Sequence, residues 1–473
     1  MKASLAIRLS FFVAMALSAC SVGPEYERPA LQENKAWGER GAAALAPSRV
    51  IEMDWWTGFG DPYLDKLVKE AISGSFDLKI LLGRIQEAGA TIKGARAGLM
   101  PTLDLSTGME FKRSDQVRDM RTGRFKTGDE QQATGQGSLS WEMDMWGKKR
   151  REYAATKAEY EASQADYRAG YLKLVSELAQ AYFQIRQIDE QSDLTDKFYK
   201  EHQQIATIYQ NQYAEGLIPE WKVLRQEAEV KRLKQEVLEL ERVRKRLEHR
   251  IAILLGRPPG DLKVPSADLR GNLKPVKVPV GLPSDLLSRR PDIVAAEYRL
   301  IKATHNVGAA EAARLPSFGL TGKGSLASET LKGLLTGTWA LSIAPAVTMP
   351  LFDGGSRKAD VAAKEARAQV TQEVYRKTVM TAFEEVENAL VNLESRQKQK
   401  AVLQEKLDGL KQIRSQTTAK FELGLISQLE VLDIERELYA SEKSLLEMHR
   451  YLLDDTVALF KAVGGGWGKV TVR

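Results

Sequence analysis

Reactive side chains are few in this chain, and they are scattered. One cysteine, Cys20, and four histidines, His202, His249, His305 and His449, supply all the thiol and imidazole in 473 residues. No zinc-ligand spacing and no redox cysteine pair can be written from them. Adjacent carboxylates such as Glu384-Glu385 read as a solvated helix face rather than an acid–base pair. The methionines are spread singly, as gap-filling residues are, and form no cluster for a soft metal. No Gly-x-x-x-x-Gly-Lys-[Ser/Thr] phosphate loop is present. These residues point away from catalysis and leave one reactive group in a defined setting, Cys20.

Lys2 and Arg8 flank the start of an apolar run from Leu9 to Leu17, too short to cross a bilayer as a helix. The run ends in Leu17-Ser18-Ala19-Cys20, which resembles the lipobox of bacterial lipoproteins. Residues 1–19 are therefore expected to be a signal peptide, and Cys20 the acylated first residue of the mature chain. Ser21 stands where an inner-membrane retention signal would place Asp, which implies the outer membrane. Removing Lys2 and Arg8 from 69 basic residues leaves 67 against 63 acidic ones, a balance of +4. The charges are mixed rather than blocked, and no basic stripe is interleaved with aromatics, so nucleic acid is not an expected partner.

The elements that carry these residues occur twice. Tyr213-Ala-Glu-Gly216-Leu-Ile-Pro-Glu-Trp-Lys-Val-Leu224 precedes Phe421-Glu-Leu-Gly424-Leu-Ile-Ser-Gln-Leu-Glu-Val-Leu432 by 208 positions. Leu255-Gly256 matches Val463-Gly464, and Glu177 and Ala181 match Glu385 and Ala389, at the same offset. Asp77 and Pro101 match Asp292 and Pro316 at 215, so one insertion separates the blocks. A period of this size means duplication of a whole unit. After an extended segment over 20–60, the first repeat is expected over 61–270. It holds a helix, a hairpin at about 101–146, a long helix over 147–211 and another over 219–255. The second is expected over 271–463, with a helix over 291–313, a hairpin at about 316–350, a long helix over 356–422 and another over 427–463. A tail follows over 464–473. No proline occurs from Thr102 to Ile218 or after Leu351. The 65 residues from Gly147 to Asn211 would span about 97 Å as one helix. Such a helix needs neighbours along its length, and Leu172, Val175, Leu178, Ala179, Tyr182 and Ile185 recur at the required spacings of three and four.

The hairpins have a different period. From Leu103 to Phe111 the odd positions are mainly apolar and the even ones polar, and Leu139 to Met145 alternates in the same phase. In the second copy Phe318 and Leu320 oppose Thr321, Lys323 and Ser325, while Trp339, Leu341, Ile343 and Val347 oppose Ala340, Ser342, Ala344 and Thr348. This is the pattern of membrane β-strands, apolar toward lipid and polar toward a wet lumen. Lys112 to Gln132 is highly charged and reads as a long exposed loop. Four strands cannot close a barrel, and open edges cannot face lipid, so several copies must join in a ring.

Three stretches add a family resemblance: Cys20-Ser-Val-Gly-Pro-Glu-Tyr-Glu-Arg-Pro29, Leu282-Pro-Ser-Asp-Leu-Leu-Ser-Arg-Arg-Pro-Asp-Ile293 and Ala462-Val-Gly-Gly-Gly-Trp467. In order around a duplication, they are similar to the outer-membrane factors, the TolC-like channels, in the lipoprotein branch serving resistance-nodulation-division pumps. The resemblance implies a mainly α chain with membrane β. Its helices form a coiled-coil barrel, and four strands from each of three copies complete a 12-stranded outer-membrane barrel. It implies a homotrimer, anchored in outer-membrane lipid through Cys20 and reaching into the periplasm. It implies two further partners, a periplasmic adaptor and an inner-membrane resistance-nodulation-division transporter, and passive conduction of drugs or other small toxic compounds. It also implies that the chain needs no cofactor or nucleotide, consistent with the absence of a phosphate loop. The helical turns at Gly216-Leu217 and Gly424-Leu425 would be the periplasmic tips that meet the adaptor. Leu429, Asp433 and Arg436 match positions that constrict the entrance, and their spacing puts them on one helix face. Asp433 and Arg436 are expected to pair. Arg225 stands at the place of Asp433 in the first copy, so its gate partner is left unassigned. Two other readings stay open: a type I protein-secretion duct, which the lipobox and triglycine disfavour, and a structural periplasmic coiled-coil lipoprotein, which the alternating hairpins disfavour.

Overall fold

The structure is a computed structural model that describes residues 21–31, 54–118, 121, 125–273, 276, 278, 283–333 and 335–466. Cys20 and Trp467 lie outside the described residues. The helices are α1 (Pro62–Gly74), α2 (Phe76–Ala97), α3 (Lys148–Ala214), α4 (Glu220–Leu254), α5 (Pro291–Ala312), α6 (Ser356–Glu422) and α7 (Gln428–Ala462), with short turns between some of them. The strands are β1 (Thr102–Arg118), β2 (Phe125–Met143), β3 (Ser317–Ser328) and β4 (Thr338–Thr348). The duplication is visible in the lengths: α3 and α6 have 67 residues each, and α4 and α7 have 35 each. No described helix is long and apolar enough to cross a membrane.

Compactness cuts across the repeats. One unit gathers Met1–Ala30, Ile85–Ser163 and Ala296–Tyr375, the other Leu31–Arg84, Gln164–Ala295 and Arg376–Arg473. The first is organised by an antiparallel sheet in the order β1-β2-β3-β4. The charged stretch expected as a loop from Lys112 to Gln132 continues the ladder instead, with Lys112 opposite Glu130 and Val117 opposite Lys126. Charge marks a residue as wet without leaving its backbone unpaired, because antiparallel strands satisfy each other's N–H and C=O groups. At the root of the sheet, the segment after Cys20 is held by buried Arg151. Its guanidinium donates to the carbonyls of Gly23 and Pro24 (3.2 and 3.0 Å) and pairs with Glu25 at 2.8 Å. Gly308 makes room for it, since a Cβ there would meet the Val22 carbonyl at 3.1 Å.

The second unit has an aromatic core: Trp55, Trp56 and Phe59 pack with Leu64, Leu178, Tyr182, Phe183, Ile251 and Phe460. Asp61 caps α1 by accepting from the backbone N–H groups of Tyr63 and Leu64 (2.8 and 3.2 Å), and it also accepts from the buried Tyr182 hydroxyl. Pro291 starts α5, and the arginine before it is buried. Arg290 bridges to Asp292 and Glu385 at 2.6 and 2.7 Å and donates to the Ala462 carbonyl at 2.9 Å. Glu385 thus serves as a partner for a buried cation, where the sequence suggested only a solvated face.

Candidate functional site

Two helical turns in the second unit are built alike. After α3, the N–H groups of Gly216 and Leu217 reach back to the carbonyls of Tyr213 and Gln212 at 2.9 and 2.8 Å. After α6, Gly424 and Leu425 repeat this with Phe421 and Lys420 at 2.9 and 3.0 Å. The pattern is a Schellman cap, which needs a left-handed residue, and Gly216 and Gly424 have φ of 76° and 70°. The exits differ. Pro219 sits just before α4 rather than inside its first turn, whereas the Ser427 N–H and hydroxyl donate to Glu430 at 3.3 and 3.2 Å. Leu217 and Leu425 are exposed at the two turns.

Leu429, Asp433 and Arg436 lie in the first three turns of α7. The structure brings Arg436 only weakly to Asp433, at 4.0 Å, and Asp433 is 60 % exposed. The main partner of Arg436 is Glu229 on α4, 2.7 Å away and only 4 % exposed. One heptad on, Lys443 meets Glu236 at 2.9 Å. Both acids lie beside rows of mainly apolar residues: Leu233, Leu240 and Leu247 on α4 and Leu432, Tyr439, Leu446 and Leu453 on α7 are buried at seven-residue intervals. Burial works to raise the Glu229 carboxyl, but hydrogen bonds from Arg232 and Arg436 outweigh it and hold the carboxyl below its ordinary value. Burial likewise opposes, and Lys443 overcomes, the shift at Glu236. Sequence reasoning missed Glu229, although an acid at Glu229 and again at Glu236, seven residues apart within the leucine repeat, was a readable signal.

A groove of about 580 Å³ opens between the turns, lined among others by Ile208, Tyr209, Trp221, Arg225, Phe421 and Leu429. Arg225 contributes to this wall, as Leu429 does. Among the described residues no three metal-ligating side chains converge.

In the sheet, the register keeps the two faces apart. Leu103, Leu139, Gly322 and Ile343 form one rung, and Trp141, Leu320 and Pro345 another, all on one face. Leu103, Leu105, Trp339, Leu341, Ile343 and Val347 are exposed on the single chain, Leu105 by 87 %. An apolar run of this extent on one face of an antiparallel sheet suits contact with hydrocarbon.

The model of the outer membrane efflux protein family matches this chain twice, over 67–257 and 282–465. The chain belongs to the outer membrane efflux protein family. It is an outer-membrane channel of the TolC-like fold and serves efflux. The cation efflux system protein CusC of Escherichia coli O6:H1 is 29 % identical over 465 residues, covering 97 % of this channel and 98 % of the relative. The solvent efflux pump outer membrane protein SrpC of Pseudomonas putida is 29 % identical over 471 residues, with 97 % and 98 % covered. The structure of the open state of the Neisseria gonorrhoeae MtrE outer membrane channel superposes with a TM-score of 0.83 at 27 % identity, covering 94 % of this channel and 98 % of that one. The two turns and the two-faced sheet are thus parts of an efflux conduit.

Proposed function

We propose that this channel works as a homotrimer that catalyses no reaction. It carries drugs or other small toxic compounds passively outward, from a periplasmic adaptor and an inner-membrane resistance-nodulation-division transporter. Four strands from each copy close a 12-stranded barrel, which removes the open edges of β1 and β4 that lipid would not tolerate. Acylated Cys20 anchors each copy in the outer membrane, with the following segment seated on Arg151. The helices reach into the periplasm, where the turns at Gly216-Leu217 and Gly424-Leu425 meet the adaptor.

The gate lies at Leu429, Asp433 and Arg436, and the observation that carries it is the bond from Arg436 to buried Glu229. Glu229 is the first-repeat partner of the lock, and Asp433, exposed beside it, completes the charge at the entrance. That a relative has been seen in an open state supports a mouth that moves. Relatives named for cation and for solvent efflux show that one fold serves different cargo. The exposed apolar face of the sheet favours a channel over a structural coiled-coil lipoprotein.

The test is accumulation of dyes, antibiotics, solvents and metal salts in cells with and without the gene. Higher accumulation of small amphiphiles on deletion, restored by the intact gene, is the expected result. An unchanged panel would overturn small-molecule efflux and favour protein secretion.

A further inference from the structure

The polar face of the sheet carries few charges, and they are unevenly placed. Its residues with described side chains are mostly Ser, Thr, Ala, Gly and Gln, with three acids, Asp104, Glu110 and Glu142, and one cation, Lys323. Register places Asp104 opposite Ser138, Ser138 opposite Lys323, and Lys323 opposite Ser342. Asp104 and Lys323 therefore share one rung, two strands apart, or about 10 Å at the usual strand spacing. The other acids are farther off. Glu142 pairs with Gly319, four residues along β3 from Lys323, and Glu110 lies six residues along β1 from Asp104. Those separations are about 13 and 20 Å at roughly 3.4 Å per residue, beyond the screening length of about 10 Å in 0.1 M salt. Glu142 also has Lys148 and Lys149 at 4.0 and 3.9 Å. The Asp104–Lys323 rung is electrically a belt of its own.

We propose that this rung sets the charge preference of the conduit through the sheet, with Lys323 offsetting Asp104. The belt then admits carboxylate-bearing and zwitterionic solutes as readily as cationic ones. The inference rests on the reading that the polar face lines the lumen. In a ring of three copies, three lysines and three aspartates alternate around the same level. Removing Lys323 leaves three unbalanced carboxylates. At about 10 Å in water each one raises the local cation concentration about twofold and lowers that of anions about twofold when salt is low, so the ratio moves roughly fourfold, and hardly at all in 1 M salt.

Reversal potentials across a KCl gradient near ~10 mM test the belt in planar bilayers, on protein that still runs as a heat-stable assembly. Lys323→Gln should raise the cation-over-anion permeability ratio at least about fourfold, Asp104→Asn should lower it, and Lys323→Arg should leave it unchanged. The face assignment is read separately. Lys323→Cys in whole cells should react with a charged thiol reagent, and Leu341→Cys should not, the chain having only one native cysteine. If Lys323→Cys reacts but neither neutral variant moves the reversal potential, the belt is refuted and the lumen reading stands. If Lys323→Cys is closed to the charged reagent, both are refuted.

Discussion

Arg436→Ala removes the bond of 2.7 Å to Glu229, and its effect can be bounded from the geometry. Breaking a buried pair by deleting one partner costs about 3–5 kcal/mol, whereas an exposed pair contributes under about 1 kcal/mol. Glu229 is buried, but Arg436 is 43 % exposed, and Arg232 still reaches Glu229 at 2.7 Å after the substitution. The loss should therefore be about 1–2 kcal/mol per copy. If three copies open together, the sum of about 3–6 kcal/mol shifts the closed-to-open ratio by roughly 10²- to 10⁴-fold, at about 1.4 kcal/mol per decade. Single-channel recording should show larger and longer openings for Arg436→Ala and for Glu229→Gln. The double variant should add little, because both remove the same contact. Asp433→Ala should have the smaller effect, since its distance to Arg436 is 4.0 Å and it is exposed. Unchanged conductance in Arg436→Ala and Glu229→Gln, or a larger effect from Asp433→Ala alone, would refute the lock.

Three further outcomes follow from the same kind of reasoning. A Cβ at Gly424 meets no atom within 4 Å, so Gly424→Ala costs only the left-handed backbone, about 1–2 kcal/mol, and should speed limited proteolysis at that turn. Arg290→Ala strands two carboxylates and the Ala462 carbonyl, and should lower stability by about 2–4 kcal/mol in denaturant titration, less than a fully buried pair because both acids are partly exposed. Burial pushes the Asp454 carboxyl up to about 7 against the pull of Arg450, so the folded chain holds that proton more tightly than the unfolded one. Its penalty on folding is absent below the ordinary value of 3.8 and complete above about 7, so Asp454→Asn should gain in thermal midpoint over the native chain as pH rises across that window.

Much of the fold was legible because its signals are periodic. Alternation along Leu103–Phe111 and Trp339–Val347 survives as one face of the sheet, and the tracts without proline became α3 and α6. The Gly216 and Gly424 turns were readable because a left-handed cap admits few other residues. What escaped was contact between distant segments. Spacing on α7 put Asp433 and Arg436 on one face, but it carried no information about α4, whose Glu229 takes the arginine. The partner of the part-exposed Glu385 escaped for the same reason, since Arg290 stands 95 residues earlier in the chain. The charged end of the first hairpin was misread because composition reports hydration, while a ladder is decided by backbone pairing.

The paired rungs between α4 and α7 also restrict how these two helices can move. Glu229 meets Arg436 and Glu236 meets Lys443, so acids and bases share one seven-residue interval. A slide along the common axis would separate both pairs at once, and new ones would form only after a full heptad, about 10 Å of travel. Rotation or spreading from the free end, by contrast, can part the first rung while the second still holds. The helix pair behaves as a hinge with a graded zip rather than as a piston.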